Sequence, residues 1–213
     1  MGKLIKLAYM DVSNLNLNES YYRLPYFRRS KVDNFRFIRD KKLSAGAYLL
    51  LEKLLCEVGV EKPILKYGKY GKAYISNFED IYFNLTHSKK MVSCAISDRE
   101  VGVDVEHIDP TIDLNIAKNY FYNEEHESIV NSQNPIDEFF KYWVLKESYM
   151  KYTGLGFQLN LNEFTIEIKD EIKLKGNDKL KFSLFNLDEY KLGVCSSYKV
   201  KNAIKYNVNQ LGV

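Results

Sequence analysis

Val101-Gly102-Val103-Asp104-Val105-Glu106 alternates without a break, with valine at every odd position and Gly, Asp and Glu between them. Period-two alternation marks a strand with one buried face, because successive side chains leave a pleated backbone on opposite sides. The two carboxylates of Asp104 and Glu106 therefore stand side by side, away from the valines. Asp is disfavoured in strands and like charges at this spacing repel. The pair reads either as a solvated strand face or as part of a site for a hard cation such as Mg²⁺, with Gly102 on the same face leaving room for a ligand.

Upstream, Leu4 to Met10 reads as an opening strand, followed by a polar, tyrosine-rich stretch. A helix is expected from Asp40, as cap, to Gly59, with Leu43, Ala47, Leu50, Leu54 and Val58 at helical spacing. Ile81–Leu85 and Met91–Ser97 read as short strands. Between them, Asn84-Leu85-Thr86-His87-Ser88-Lys89 reads as a strand running into a polar, basic loop. That loop could clamp a phosphate, or His87 could be a hydrogen-bonded structural histidine. Downstream, helices are expected over Leu114–Val130 and from Asn134-Pro135 to about Tyr152 before Gly154. The remainder is β-like: Phe164–Ile168, a hairpin turning at Gly176-Asn177-Asp178, and Tyr190–Ser196. An internal echo, Lys90-Met91-Val92-Ser93-Cys94-Ala95 against Lys191-Leu192-Gly193-Val194-Cys195-Ser196, hints at two related halves.

The helix Trp143-Val144-Leu145-Lys146-Glu147-Ser148-Tyr149-Met150-Lys151 places Glu147 within an apolar stripe of Ile136, Phe140, Trp143 and Met150, with Lys151 at its edge. A carboxylate there needs a partner charge, a metal or a shifted pKa. The bland alternative is an intrahelical Glu147–Lys151 pair at i, i+4. A basic run, Arg28-Arg29-Ser30-Lys31 with Arg36, Arg39, Lys41 and Lys42, is either a solvated face or a source of cations for phosphates.

Composition narrows the function classes. The 213 residues are 46% apolar and 28% charged, a globular balance that excludes a disordered or fibrous chain. Three scattered cysteines exclude a disulfide framework or a zinc cluster. The net charge of +3 hides asymmetry: residues 1–72 carry +8, residues 73–138 carry −9 and residues 139–213 carry +4. A basic segment for a polyanion and an acidic one for a metal fit that division. No stretch approaches the roughly 20 apolar residues of a membrane span, and Lys6 and Asp11 interrupt any secretory core, so a soluble cytoplasmic protein is expected. A nucleic-acid partner is not expected, given the small net charge and no RRM- or KH-type motif.

Four motifs in order, GKxY at Gly71–Tyr74, NLTHS at Asn84–Ser88, VGVDVE at Val101–Glu106 and WxxKESxxK at Trp143–Lys151, resemble the phosphopantetheinyl transferases. Order, spacing and length are similar to the surfactin-synthetase-activating type, and a GLGF segment at Gly154–Phe157 extends the likeness. The resemblance implies an α+β fold: a pseudo-two-fold pair of similar subdomains, each a small antiparallel sheet packed with a long helix. Residues 1–100 would form the N-terminal half, with the coenzyme A-binding basic segment and His loop. Residues 101–213 would form the C-terminal half, with the metal site and carrier-docking region. It further implies a monomeric, Mg²⁺-dependent enzyme that transfers 4′-phosphopantetheine from coenzyme A to a serine of an acyl or peptidyl carrier protein. The other product is adenosine 3′,5′-bisphosphate, and the carriers are those of fatty-acid, polyketide or nonribosomal-peptide synthesis.

By the same resemblance, Asp104, Glu106 and Glu147 are the metal-binding acids, and Glu147 and Lys151 the catalytic pair. Glu147, or a metal-bound water it orients, would be the general base, while Lys151 would contact the pyrophosphate and steady the leaving group. Arg28, Lys31 and His87 would surround the 3′-phosphate of coenzyme A. Lys72, Thr86, Ser88 and Asp104 would complete the coenzyme site. The carrier would dock near Tyr120 and Phe121 and after Lys151. Departures are Ala73 where the family often has Pro, Thr86 where Ser is common, and a shorter stretch between Phe37 and Leu43. The alternative is a non-catalytic phosphate- or nucleotide-binding module.

Overall fold

The computed structural model describes residues 3–211. After strand β1 (Ile5–Asp11), the tyrosine-rich stretch folds into two short helices, α1 (Leu17–Arg23) and α2 (Tyr26–Asp33). The Asn16 side chain caps α1 by accepting from the Asn18 and Glu19 N–H groups. Helix α3 spans Ile38–Cys56, and Asp40 sits in its first turn instead of capping it, where a carboxylate still favours the helix dipole. A small hairpin follows, β2 (Leu65–Tyr67) with β3 (Ala73–Ile75), and then β4 (Tyr82–Ser88), β5 (Met91–Ser97) and β6 (Val101–His107).

The single helix expected over Leu114–Val130 divides into α4 (Asn115–Tyr120) and α5 (Asn123–Val130), because Phe121 and Tyr122 are extended. Helix α6 (Pro135–Thr153) starts as expected: the Asn134 side chain accepts from the Asp137 N–H at 3.1 Å, and Pro135 takes the first position. Gly154 ends it at φ 69°, in the left-handed region that glycine enters without strain. The chain finishes with β7 (Ile166–Ile168), β8 (Ile172–Leu174), β9 (Lys181–Leu187), β10 (Tyr190–Ser196) and β11 (Ile204–Lys205). The hairpins are β7–β8 and β9–β10; the turn at Gly176–Asp178 carries only an isolated Leu174–Asn177 bridge, not the expected ladder.

Two sheets carry an α+β fold with the same internal order. One runs β11-β1-β5-β4 and the other β6-β10-β9, with antiparallel neighbours throughout except the parallel β1–β11 pair. Element lengths match across the halves: α3 and α6 are both 19 residues, and β1, β4, β5, β6, β9 and β10 are all seven. The tail departs from the expected C-terminal half, since β11 joins β1 and Leu211 lies in the core around α3. Val101, Val103 and Val105 pack with Leu7, Ala95, Leu192 and Val194 in a core shared by both sheets. Among the described residues no helix is long and apolar enough to cross a membrane.

The other face of β6 lies under α6. A Cβ on Gly102 would stand 2.0 Å from the Ser148 carbonyl oxygen and 2.3 Å from the Tyr152 nitrogen; one on Gly193 of β10 would stand 2.6 Å from the Val144 oxygen. The space expected above Gly102 for a ligand is thus filled by helix backbone. This close approach brings Glu147 and Lys151 of α6 beside Asp104 and Glu106.

Candidate active site

Asn84, Thr86 and Ser88 leave β4 on one side, and each meets β6. Asn84 Oδ1 accepts from the Val103 N–H at 2.9 Å, the Thr86 hydroxyl donates to Asp104 Oδ1 at 3.0 Å, and the Ser88 hydroxyl donates to Glu106 Oε2 at 2.7 Å. Ser88 Oγ also accepts from the His107 N–H at 3.2 Å. The NLTHS segment is therefore strand to its end, not a loop, and its polar residues join the two sheets where no backbone ladder runs between them.

Across this seam Lys151 reaches back from α6. Its ammonium donates to Asp104 Oδ1 at 2.5 Å and to Thr86 Oγ1 at 3.0 Å. Asp104 is only 2% exposed, and its second oxygen, Oδ2, has no hydrogen-bond partner among the described residues. Burial first, then the Asp104 charge, pushes Glu106 up to about 7. The same two causes, in the same order, raise Glu147 above the ordinary carboxylate range. Glu106 and Glu147 both feel the Asp104 charge, and the acidic centre they make with it is one that a cation would relieve.

In front of this centre lies a cleft of about 450 Å³. Glu147, Met150 and Lys151 of α6 border it, as do Arg28 and Lys31 of α2, Ser44 of α3, and His87 and Asn84 of β4. Arg28 is nearly buried; its Nη2 donates to the Ser44 carbonyl at 2.7 Å, while its Nε and the Ser44 hydroxyl lack partners among the described residues. Lys31 lies over the Tyr67 ring, 5.6 Å from its centre. Partial desolvation, then the Lys151 ammonium, hold His87 below the usual histidine range although the ring itself is exposed in the cleft. Cations from α2 and α6 beside an acidic centre suit a ligand that carries phosphates.

Not every expected residue reaches the cleft in the same way. Lys72 borders it, but its ammonium is committed to Glu100 at 2.6 Å, the Tyr152 carbonyl at 2.9 Å and the Val101 carbonyl at 3.2 Å. It ties the β2–β3 hairpin to the end of α6 and the start of β6. The basic run divides: Arg28 and Lys31 face this cleft, whereas Arg39 and Lys42 border a separate groove. Glu147 lies on the cleft wall instead of in a core stripe. The buried charge of α6 is the neighbouring Lys146, paired with Glu125 at 2.6 Å with both side chains out of solvent. Phe121, expected at the carrier-docking surface, is 5% exposed and stacks on Phe139 at 5.7 Å, whereas Tyr120 beside it is exposed.

The sequence alone did not point to Ser44, Tyr67 or Tyr70 as cleft residues. Ser44 sits within the apolar spacing of α3 without interrupting it, and the two tyrosines lie in a turn-rich stretch with no periodicity.

The model of the 4′-phosphopantetheinyl transferase superfamily matches residues 100–198. The chain is 34% identical over 152 residues to a 4′-phosphopantetheinyl transferase of Bacillus subtilis, covering 66% of each. It is 32% identical over 173 residues to the 4′-phosphopantetheinyl transferase gsp of Aneurinibacillus migulanus, covering 76% of this chain and 71% of that one. It is 29% identical over 182 residues to the 4′-phosphopantetheinyl transferase Sfp of Bacillus subtilis strain 168, covering 80% and 81%. The fold, the cleft and these relatives agree, and the chain belongs to the 4′-phosphopantetheinyl transferase superfamily, in its surfactin-synthetase-activating type.

Proposed function

We propose that this protein transfers 4′-phosphopantetheine from coenzyme A to a serine hydroxyl of an acyl or peptidyl carrier protein in the cytoplasm, releasing adenosine 3′,5′-bisphosphate. The observation that carries this reading is the cleft itself, bordered by Arg28, Lys31 and His87 as well as by Glu147 and Lys151, with Lys151 bonded to Asp104. In this reading residues 1–100 supply the nucleotide end and residues 101–213 the acidic centre. A monomer suffices, since the internal pair of sheets replaces a subunit interface.

The acidic centre suits Mg²⁺. Among the described residues no three His, Cys, Asp or Glu side chains converge as a ready-made cage. Mg²⁺ does not need one, since it takes one or two carboxylates and completes its shell with water and substrate phosphate. The buried, unpartnered Asp104 Oδ2 is the vacant acceptor such an ion would use. Asp104 and Glu106 would hold the ion, with Glu147 as the third acid beside them, and the ion would supply neutralisation of charge on the pyrophosphate.

The chain's own groups do the rest. Arg28, Lys31 and His87 bind the 3′-phosphate and orient the nucleotide along the cleft, so that the pyrophosphate meets Lys151. The serine oxygen forms a bond to the phosphorus of the phosphopantetheine, and the bond from that phosphorus to the bisphosphate oxygen breaks. Lys151 stabilises the negative charge on the departing oxygen. Glu147, raised by burial, accepts the serine proton. Thr86 and Ser88 hold Asp104 and Glu106 in place for this arrangement.

The test is the intact mass of an apo carrier protein incubated with this protein, coenzyme A and Mg²⁺. A gain of one phosphopantetheine arm, lost with chelator and in Asp104→Ala, supports the reaction and the metal together. Glu147→Gln is expected to lose most turnover while keeping the fold. No mass gain on several carriers, from folded protein that still binds coenzyme A, would return the chain to a binding module.

A further inference from the structure

We infer that the tail of the chain, residues 204–211, is a positioning element for the 3′-phosphate cations, acting through Arg23 on the helix that carries Arg28 and Lys31. This rests on the transferase reading above and adds to it what holds those cations in register with the cleft.

Helices α1 and α2 are poorly secured by their own residues. α1 buries only Ser20, α2 only Arg28 and Val32, and no side chain caps the start of α2. Helices of seven and eight residues are marginal alone and depend on what they pack against. Three contacts join the pair into one unit. The Tyr21 hydroxyl donates to Asp33 Oδ2 at 2.8 Å, Arg29 Nε donates to the Leu24 carbonyl at 2.7 Å, and the Arg29 guanidinium lies 5.6 Å from the centre of the Tyr21 ring. Whatever fixes α1 therefore fixes α2, and with it Arg28 and Lys31 on the cleft wall.

The tail supplies that fixing point. Arg23, the last residue of α1, donates from Nη1 to the Leu211 carbonyl at 2.7 Å. The carbonyl is itself pinned, because the chain after β10 returns from one sheet to the other. Ile204 and Lys205 pair in parallel with Ala8 and Tyr9 of β1, and the Tyr206 N–H donates to the Tyr9 carbonyl at 2.9 Å. The Tyr206 hydroxyl donates to Glu57 Oε1 at 2.6 Å, one residue past the end of α3. Leu211 is 6% exposed and belongs to the core around α3. Arg28 meets the same helix through the Ser44 carbonyl, so α3 is the common base on which both the tail and α2 rest. A loosened tail frees α1, lets α2 shift against α3, and moves the Arg28 guanidinium whose Nε lacks a partner among the described residues. Binding by preset groups is sensitive to displacements of about 1 Å.

The experiment compares coenzyme A with coenzyme A lacking its 3′-phosphate, by calorimetry, in the wild type and in Arg23→Met, which removes the donor and keeps an apolar stem. Leu211→Ala is the independent second variant, since it leaves the carbonyl but removes the side chain that pins it. In both, the Kd for coenzyme A is expected to weaken about tenfold, the Kd for the form without the 3′-phosphate to stay within about twofold, and kcat at saturating coenzyme A to hold. Combining the two substitutions should weaken coenzyme A by less than the product of the single effects, because both act through one contact. Arg23→Lys, which keeps a charged donor, should restore part of the loss. Equal weakening of both ligands, or no weakening of either in folded protein, reduces the tail to a structural role and overturns the proposal while the transferase reading stands. A wild type that binds both ligands alike removes the 3′-phosphate assignment of Arg28 and Lys31, and the tail's role falls with it.

Discussion

Replacing Lys146 with methionine tests the packing that holds α6 in place. The Lys146 ammonium spends its three protons on Glu125 Oε1 at 2.7 Å, Glu125 Oε2 at 2.6 Å and the Phe164 carbonyl at 2.8 Å. Glu125 also accepts from the Tyr122 N–H at 3.0 Å and the Ile166 N–H at 2.7 Å, so one ion pair ties α5, α6 and β7 together. Both side chains are essentially out of solvent, and burial pulls Lys146 down to about 8 even beside its partner. Lys146→Met preserves length and apolar stem but strands the Glu125 carboxylate with two backbone donors and no counter-charge. Removing one member of a buried pair costs about 3–5 kcal/mol. That is a large share of the roughly 5–15 kcal/mol that holds a domain together, and it lowers Tm by about 6–20 °C for a chain of this size. Glu125→Gln on top of Lys146→Met removes the stranded charge while keeping an acceptor for the backbone donors. The double variant is therefore expected to recover about half of the loss. Urea denaturation followed by far-ultraviolet dichroism measures all three differences. A loss below about 1 kcal/mol in Lys146→Met, or a double variant no more stable than the single, refutes the assignment of a desolvated, mutually dependent pair.

Four other outcomes follow from the same geometry. Gly102→Ala pushes α6 backbone off β6 and is expected to cost about 3 kcal/mol or more and to depress transfer beyond that loss; a wild-type Tm would show that α6 yields freely. Coenzyme A affinity is expected to be strongest at acid pH and to weaken as pH rises, because bound phosphate raises a His87 that the free protein holds low; His87→Asn should flatten that slope in calorimetry, and an unchanged slope removes His87 from the phosphate. Lys72→Met leaves the Val101 and Tyr152 carbonyls unpaired and should cost about 1–2 kcal/mol in chemical denaturation, with coenzyme A Kd weakened less than tenfold; a hundredfold loss would return its ammonium to the ligand. Mg²⁺ added to the coenzyme A complex should raise Tm further in the wild type but not in Asp104→Ala, and equal shifts in both would separate the metal from this carboxylate.

The elements legible in the sequence are those whose burial is one-sided. β6 showed itself by its valines, and α6 by a cap, a proline and a closing glycine, because each feature acts within a few residues. The polar side of β4 was read as a loop for a physical reason: Asn84, Thr86 and Ser88 bond to β6, so a buried polar seam presents the same residue types as a solvated turn. Helices α1 and α2 carry exposed aromatics such as Tyr22 and Tyr26, which gave the tyrosine-rich stretch no helical period to read. Lys146 finds Glu125 only through the fold, and Lys72 finds Tyr152 80 residues away. The cysteine echo selected the right strands, yet β5 and β10 (Met91–Ser97 and Tyr190–Ser196) match with Cys94 opposite Gly193, two positions from Cys195. A slip of two keeps the same face, which is why the echo survived as a pattern.

Matching the halves element by element also explains why a pseudo-symmetric chain carries one acidic centre. Aligning β1 with β6 from their first residues puts Ala8 against Asp104 and Met10 against Glu106. Aligning α3 with α6 puts Leu50 against Glu147 and Leu54 against Lys151, and β4 with β9 puts Thr86 against Phe185. Ala8, Met10, Leu50 and Leu54 are all fully buried. The positions that hold the charges in one half hold hydrophobic core in the other. Those charges therefore occupy places where the fold would otherwise bury carbon, and the raised Glu106 and Glu147 are the direct result of that placement. The desolvated acids lower stability on their own, and a cation with bound phosphate relieves them, so the energy the fold forgoes at these positions reappears as affinity for the reacting group.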